Sequence, residues 1–313
     1  MRVFRHYTDL PHSALGAVVT LGNFDGVHLG HQAVIARAAQ IARAEGRKLA
    51  VLTFEPHTRS FFRPDEPPFR LTPLRAKLHA LESLGVDQVV VLAFDHDFSQ
   101  VTAEDFARIV LKDGMQTAHA VAGADFRYGH KHAGSMHSLI ASGKALGFGV
   151  TAVQSAAAAD GTVYSATAIR TFVVDGDLRR AAKLLGRPWE IDGRVITGDK
   201  RGRELGFPTA NMLLGEYLRP AFGIYAVRAQ VDEPGAAWLD GVANLGIRPM
   251  WRLKDPMLEV HLLDFSGDLY GRILRVRIIE RLRREEQFET IEALIKQVDL
   301  DKEAAREALL ATP

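Results

Sequence analysis

Ala17-Val18-Val19-Thr20-Leu21-Gly22-Asn23-Phe24-Asp25-Gly26-Val27-His28-Leu29-Gly30-His31 is an apolar β-type run that breaks at a glycine-punctuated corner and re-enters with helical spacing. Val34, Ile35, Ala38, Ile41 and Ala42 carry that spacing onward. A strand feeding a helix through such a corner aims the helix's unpaired N–H groups at whatever occupies the turn, which suits phosphate. Gly22, Gly26 and Gly30 let the backbone come close to a ligand, and His28 and His31, three apart, fall on one side of the first turn.

Outward from this corner, apolar runs at Leu49–Phe54, Gln88–Phe94, Ala118–Ala122 and Gly149–Val153 alternate with helical patterns. That rhythm predicts a parallel sheet in an α/β, Rossmann-like domain. Thr102 and Asp105 have capping-box spacing, and Gly46 and Gly85 follow helical stretches where left-handed caps are expected. A helix near Asp177–Leu185 is interrupted by Arg187-Pro188, and the pattern beyond it changes to alternation. The domain boundary is therefore expected at Gly186, giving halves 1–186 and 187–313. In Ile273–Leu282, Leu274, Val276, Ile278 and Glu280 alternate with Arg275, Arg277, Ile279 and Arg281, a half-buried strand imperfect at two positions. Leu258–Phe265 and Gly223–Val231 also read as strands. With no helix before Thr290, the second half is expected to be a small antiparallel barrel or sandwich closed by a C-terminal helix. Ile291, Leu294, Ile295 and Val298 supply the apolar stripe of that helix.

The 313 residues, 47% hydrophobic and 25% charged, suffice for two cores. Thirty-nine basic against 38 acidic side chains leave a net charge of +1, so there is no basic field to hold a polyanion and nucleic acid is not an expected partner. No apolar run approaches bilayer length, and Arg2, Arg5, His6 and Asp9 interrupt the N-terminus; no membrane role and a cytoplasmic location are expected. The absence of cysteine excludes disulfides, thiolate metal sites and cysteine nucleophiles.

Two imidazoles beside phosphate fit nucleotidyl transfer, where charge grows on the α-phosphate oxygens and the departing pyrophosphate. The corner resembles the H-x-G-H signature of the nucleotidylyltransferase superfamily, in the version found in bacterial FAD synthetases. Thr53-Phe54-Glu55-Pro56-His57 resembles that version's T-F-D-P-H, Gly123-Ala124-Asp125-Phe126-Arg127-Tyr128-Gly129 its G-x-D-F-x-F-G, and Ser165-Ala166-Thr167-Ala168-Ile169-Arg170 its S-S-T-x-I-R. The resemblance implies that His28 and His31 contact ATP phosphates within a loop formed by Gly22, Asn23, Phe24, Asp25 and Gly30. It further implies hydroxyl donors at Ser165 and Thr167 and charge neutralisation by Arg170. His57, Asp125 and Phe126 would face the flavin, although a histidine after proline also serves as a turn residue. Glu55 replaces the family's aspartate and Ala166 its second serine.

The second half opens on Gly198-Asp199-Lys200-Arg201-Gly202-Arg203-Glu204-Leu205-Gly206-Phe207-Pro208-Thr209-Ala210-Asn211, a basic glycine-rich loop without Walker A spacing. Phosphates would be held by a backbone arch with Lys200, Arg201 or Arg203 nearby. Thr209 and Asn211, two apart, face one way on an extended chain and offer hard oxygen ligands to Mg²⁺. Phosphate transfer to an alcohol also wants a base near the acceptor hydroxyl, and Glu259 is the best-placed candidate, with His261 on its face. This loop resembles the riboflavin kinase signature G-R-x-L-G-F-P-T-A-N. Further likenesses follow in order: Gly241–Pro249 to G-V-A-N-I-G-x-R-P, Glu259–Gly271 to E-V-H-L-L-D-F-x-G-D-L-Y-G, and Leu282–Phe288 to L-R-x-E-x-x-F. Met250 stands where that family has threonine. The resemblance implies Thr209 and Asn211 as Mg-ATP ligands and Glu259 as the base for the ribityl hydroxyl.

The order of the two halves resembles that of bacterial bifunctional FAD synthetases. It implies ATP as co-substrate, Mg²⁺ in both steps, riboflavin and FMN as substrates, and FMN and FAD as products. Two rival readings are a riboflavin kinase whose N-terminal half only binds nucleotide or flavin, as Ala166 suggests, and a class I aminoacyl-tRNA synthetase relative. The latter shares an H-x-G-H corner, but no K-M-S-K-S-like string is present.

Overall fold

The computed structural model describes residues 1–154, 157, 161–198, 205–246 and 256–312. Its Cα packing separates two compact units, Met1–Glu66 with Lys77–Ser165, and Pro67–Ala76 with Ala166–Pro313.

The first unit is built on a six-stranded parallel sheet: β1 (Arg2–Phe4), β2 (Val18–Leu21), β3 (Leu49–Glu55), β4 (Gln88–Ala93), β5 (His119–Gly123) and, after a small hairpin of β6 (Arg127–Tyr128) and β7 (Gly134–Ser135), β8 (Gly149–Val153). The strand order is β1-β4-β3-β2-β5-β8. All four expected flanking runs are strands; the three-residue edge strand β1 was too short to leave a periodic signal. The central strands are continuous apolar runs, with Val18, Val19, Ala50, Val51, Leu52, Val89 and Val90 fully buried, as expected of a parallel sheet covered on both faces. Helix α1 (Leu29–Ala44) buries Val34, Ile35, Ala38 and Ala42. Helices α2 (Thr58–Phe62), α3 (Leu74–Ser83) and α4 (Met136–Leu146) follow. Thr102 accepts from the Asp105 N–H, but Asp105 bonds the Thr102 hydroxyl rather than its N–H, so only half of the capping box forms. The chain runs from β2 to β3 and β4 on one side of the sheet, then to β5 on the other. The corner Gly22–His31 thus leaves the carboxyl end of the strand at which the sheet reverses direction, where open α/β sheets bind ligands.

In the second unit, α5 (Ala166–Asp175) and α6 (Leu178–Leu185) precede β9 (Trp189–Arg194), β10 (Ala210–Leu213), β11 (Gly223–Val231), β12 (Leu239–Gly246), β13 (Met257–Leu262), β14 (Ile273–Arg283) and α7 (Ile291–Leu310). Packing groups α5 and α6 with these strands, whereas the boundary expected from sequence lies after them, at Gly186. All pairings in the order β10-β13-β12-β11-β14-β9 are antiparallel, and a bridge between Ile196 and Asn211 brings the two ends together into a nearly closed barrel. The imperfect alternation of β14 has a structural cause. A register shift opposite Ala226 and Val227 lets the consecutive Ile278 and Ile279 both be buried, the latter in a cluster with Ala305, Ala308 and Leu309 of α7. The apolar stripe on α7 differs from expectation. Ile291 is 58% exposed, and the buried positions are Asp301, Ala305, Ala308 and Leu309.

Candidate active sites

The corner after β2 is tightly folded. Phe24 (φ 49°), Gly26 (φ 82°) and Val27 (φ 43°) are left-handed, and Phe24, Asp25 and Val27 are buried, so their packing offsets the strain. His28 caps α1: its Nδ1 accepts the His31 N–H at 3.3 Å. A neutral His28 that accepts at Nδ1 carries its proton on Nε2, making that nitrogen a donor. The two imidazoles stack, with centroids 3.7 Å apart and 24° between planes, and Phe24 lies 5.1 Å from the His31 ring. Gly30 is required by close approach: a Cβ there would lie 3.0 Å from the His28 ring and 3.1 Å from the Tyr164 carbonyl oxygen. A Cβ at Gly22 would meet the Phe24 ring at 3.3 Å.

The neighbouring strands β3 and β5 deliver the other segments at the same sheet edge. From β3, the Thr53 hydroxyl donates to the Asn23 carbonyl at 3.1 Å, and Asn23 Nδ2 donates to Thr58 Oγ1 at 3.2 Å. His57 is buried and caps α2, its Nδ1 accepting the Arg59 N–H at 3.1 Å; the turn role open to it in the sequence is the one its Nδ1 performs. Beyond β5, Asp125 is exposed and the Phe126 ring stacks on Tyr128 at 5.6 Å and 9°. Burial pushes the Tyr128 hydroxyl above its ordinary pKa.

Ser165 ends the first unit and precedes α5. Thr167 and Arg170 lie on that helix in the second unit; Arg170 donates its Nε to the Phe69 carbonyl at 2.9 Å and sets its guanidinium over the Phe69 ring.

The second candidate site is a rung across the barrel. Successive registers place Asn211, Glu259, Asn244, Ile224 and Arg283 side by side on β10, β13, β12, β11 and β14, so their side chains share one face. That face and α7 enclose a cavity of about 250 Å³ lined by Thr209, Asn244, Glu259, His261 and Arg283 from the barrel side and by Val298 and Asp301 from the helix. Asn211 and Glu259 are 5% and 7% exposed. Asn211 is held by its amide donating to the Thr209 carbonyl at 3.4 Å and by Gly198, where a Cβ would strike that amide at 2.4 Å. The Thr209 hydroxyl and Asn211 carboxamide are hard oxygen donors next to the Glu259 carboxylate, a set that fits Mg²⁺. Among the described residues there is no group of three or more His, Asp or Glu side chains that could hold a metal.

His261 Nδ1 lies 2.9 Å from the Pro208 carbonyl and must donate to it; burial holds the ring below its ordinary pKa of 6.5. Arg283 makes a two-bond pair with Asp301, both contacts 2.7 Å, which ties the end of β14 to α7 and raises the arginine pKa. Burial raises the Glu285 carboxyl, against a hydrogen bond from Asn244 that lowers it, and the nearby Glu259 charge raises it further. The sequence reading did not single out Asn244, Arg283 or Asp301. Asn244 sits inside a segment quoted for its pattern, but only the strand register brings it beside Glu259. Lys200, Arg201 and Arg203, and Met250 after Arg248-Pro249, lie outside the described residues.

Known proteins resemble this chain along almost its whole length. The FAD synthetase family model matches residues 10–167 and the riboflavin kinase family model residues 185–309. The bifunctional riboflavin kinase/FMN adenylyltransferase of Pseudomonas fluorescens is 41% identical over 314 residues, covering 100% of this chain and 99% of that protein. Those of Escherichia coli (strain K12) and Bacillus subtilis (strain 168) are each 40% identical, covering 93% and 92% of this chain and 92% and 91% of their own. A solved structure described as a macrolide-efflux protein from Streptococcus pneumoniae superposes with a TM-score of 0.85 at 28% identity, over 98% of this chain and 99% of that one. No described helix of the present chain is long and apolar enough to cross a membrane. With both family models matched in this order and relatives at about two-fifths identity over nearly every residue, the chain belongs to the bifunctional riboflavin kinase/FMN adenylyltransferase family.

Proposed function

We propose that this chain converts riboflavin and ATP to FMN and ADP at the barrel rung, and FMN and ATP to FAD and pyrophosphate at the Gly22–His31 corner. The observation that carries this reading is that each of the two matched family segments contains a built site of the right chemistry: stacked imidazoles at a helix N-terminus in one, and a buried carboxylate beside hard oxygen donors in the other. The functional boundary is set near Gly186, with 1–186 the adenylylating half and 187–313 the kinase half; the family models leave 168–184 to neither.

In the kinase step Glu259 takes the proton of the ribityl 5′-hydroxyl as its oxygen attacks the γ-phosphorus, and ADP leaves. Thr209 and Asn211 would hold Mg²⁺, which would supply positive charge to offset that of the nucleotide phosphates, and Lys200 and Arg203 neutralise phosphate. In the adenylylation step an FMN phosphate oxygen attacks the α-phosphorus in line and pyrophosphate departs. His28, donating from Nε2, and His31 bind the charge that grows on the phosphate oxygens, and the loop residues Gly22, Asn23, Phe24, Asp25 and Gly30 keep the backbone close to it. Ser165 and Thr167 donate hydroxyl bonds and Arg170 balances the triphosphate; His57, Asp125 and Phe126 border the flavin. Mg²⁺ would offset phosphate charge in this step too. The partners are riboflavin, FMN and ATP, without nucleic acid or membrane, and the use of intracellular ATP goes with a cytoplasmic location.

The test incubates the purified chain with ATP and Mg²⁺, starting once from riboflavin and once from FMN, and separates the flavins over time. FAD from both starts is expected. FMN alone would make the chain a kinase with a silent N-terminal half. His31→Ala should lower adenylylation about a hundredfold or more and spare phosphorylation, whereas Glu259→Ala should do the reverse. Equal losses in both activities from either variant would refute the assignment of two separate sites.

A further inference from the structure

We propose that Lys77 is a positioning residue for adenylyl transfer, holding the Gly22–His31 corner in shape through Thr53. The inference rests on the reading of that corner as the site of the ATP phosphates. Lys77, on α3, is 0% exposed and is the one buried lysine among the described residues. Its Nζ donates to Thr53 Oγ1 at 3.2 Å, and the same hydroxyl donates to the Asn23 carbonyl at 3.1 Å. The direction of both bonds follows from chemistry: an ammonium only donates and a carbonyl only accepts, so the hydroxyl must take from one and give to the other. Donation from a charged group polarises the hydroxyl and strengthens its bond to Asn23. Glu55 Oε2, 3.9 Å from Nζ, offsets part of the charge.

The Asn23 carbonyl belongs to the peptide that continues into Phe24, the first left-handed residue of the corner, and the Phe24 ring meets His31 at 5.1 Å. Fixing that carbonyl therefore sets the plane of the peptide entering the corner and, through Phe24, the seat of His31. The Asn23 side chain is pinned by its bond to Thr58, and its buried Oδ1 has no hydrogen-bond partner among the described residues. An apolar side chain would fill the Lys77 position without the desolvation penalty of an ammonium, so the lysine is explained by what it holds.

Lys77→Met removes the charge at similar length, Thr53→Val removes the hydroxyl at constant shape, and Thr53→Ser keeps it. The full-length variants are assayed for FAD formation from FMN and ATP, with riboflavin phosphorylation measured on the same preparations. Lys77→Met and Thr53→Val are each expected to lower kcat for FAD formation about tenfold, with KM for ATP and FMN changed less than about twofold. Thr53→Ser should retain most of the rate. The double variant should be no slower than Thr53→Val alone, because both changes break one relay. Unchanged kcat in Lys77→Met, or losses that multiply in the double variant, would overturn the role. Should Lys77→Met lose its cooperative melt, the Thr53 pair decides, and equal rates for Val and Ser overturn it. A wild-type chain that makes no FAD would instead refute the reading of the corner itself, and that is seen before any variant is compared.

Discussion

Replacing Gly30 by alanine tests whether the geometry of the two imidazoles, and not their mere presence, drives adenylylation. The new Cβ would lie 3.0 Å from His28 Cε1 and Nδ1 and 3.1 Å from the Tyr164 carbonyl oxygen, inside ordinary contact distance on two sides. The carbonyl is backbone, so the His28 ring must yield by a few tenths of an ångström. Its bond to the His31 N–H is already 3.3 Å long and would break, at a cost of about 1 kcal/mol for a lost cap. Alanine in place of glycine within α1 returns about 1 kcal/mol of helix propensity, so the net change in stability should stay near zero. Catalysis has no such compensation. If 1 Å of misplacement costs about a hundredfold, half that displacement costs about tenfold. Pyrophosphate release from FMN and ATP is the assay, with riboflavin phosphorylation and the melting temperature as controls. A variant that adenylylates FMN at the wild-type rate would refute the view that the His28–His31 stack is set for transition-state charge. A variant that loses both activities and melts early would show that Gly30 serves the fold alone.

Three further outcomes are expected. Asp301→Asn leaves Arg283, whose side chain is 18% exposed, without its carboxylate, and should destabilise the barrel unit by about 2–3 kcal/mol in urea melts while lowering phosphorylation; a shift under about 0.5 kcal/mol would show the pair to be inert. His261 and His119 are held neutral by burial, their pKa values below 6.5, so the unfolded chain binds protons first as pH falls. Their contribution to stability is complete above about pH 6.5 and is lost as pH falls through the lower folded values, and His261→Gln should flatten that acid slope in melts taken from pH 7 to 5. Chelating divalent ions should stop both reactions and restoring Mg²⁺ should return them; phosphorylation that survives chelation would remove Thr209 and Asn211 from metal binding.

Much of this was legible from local pattern. The corner after β2, the runs that became β3, β4, β5 and β8, the helix capped by Gly186 and the alternation of β14 are encoded within a few residues of one another. Tertiary contact overrides periodicity in two places, the imperfect alternation of β14 and the apolar stripe expected on α7. Ile279 breaks the alternation because a register shift turns it toward α7, and Ile291 lies outside the buried stretch of its helix.

By itself the sequence determined the two architectures, their order, and the short segments of glycine, histidine, threonine and carboxylate to which the proposed chemistry is assigned, since each is written in spacings of two to four residues. Tertiary structure alone decided which distant residues meet. The rung from Asn211 through Glu259, Asn244 and Ile224 to Arg283, the tie from Arg283 to Asp301, and the reach of Lys77 through Thr53 to Asn23 are made of direct pairs 15 to 59 positions apart. Strand register and helix docking set those meetings, and a one-residue slip would turn each side chain to the other face.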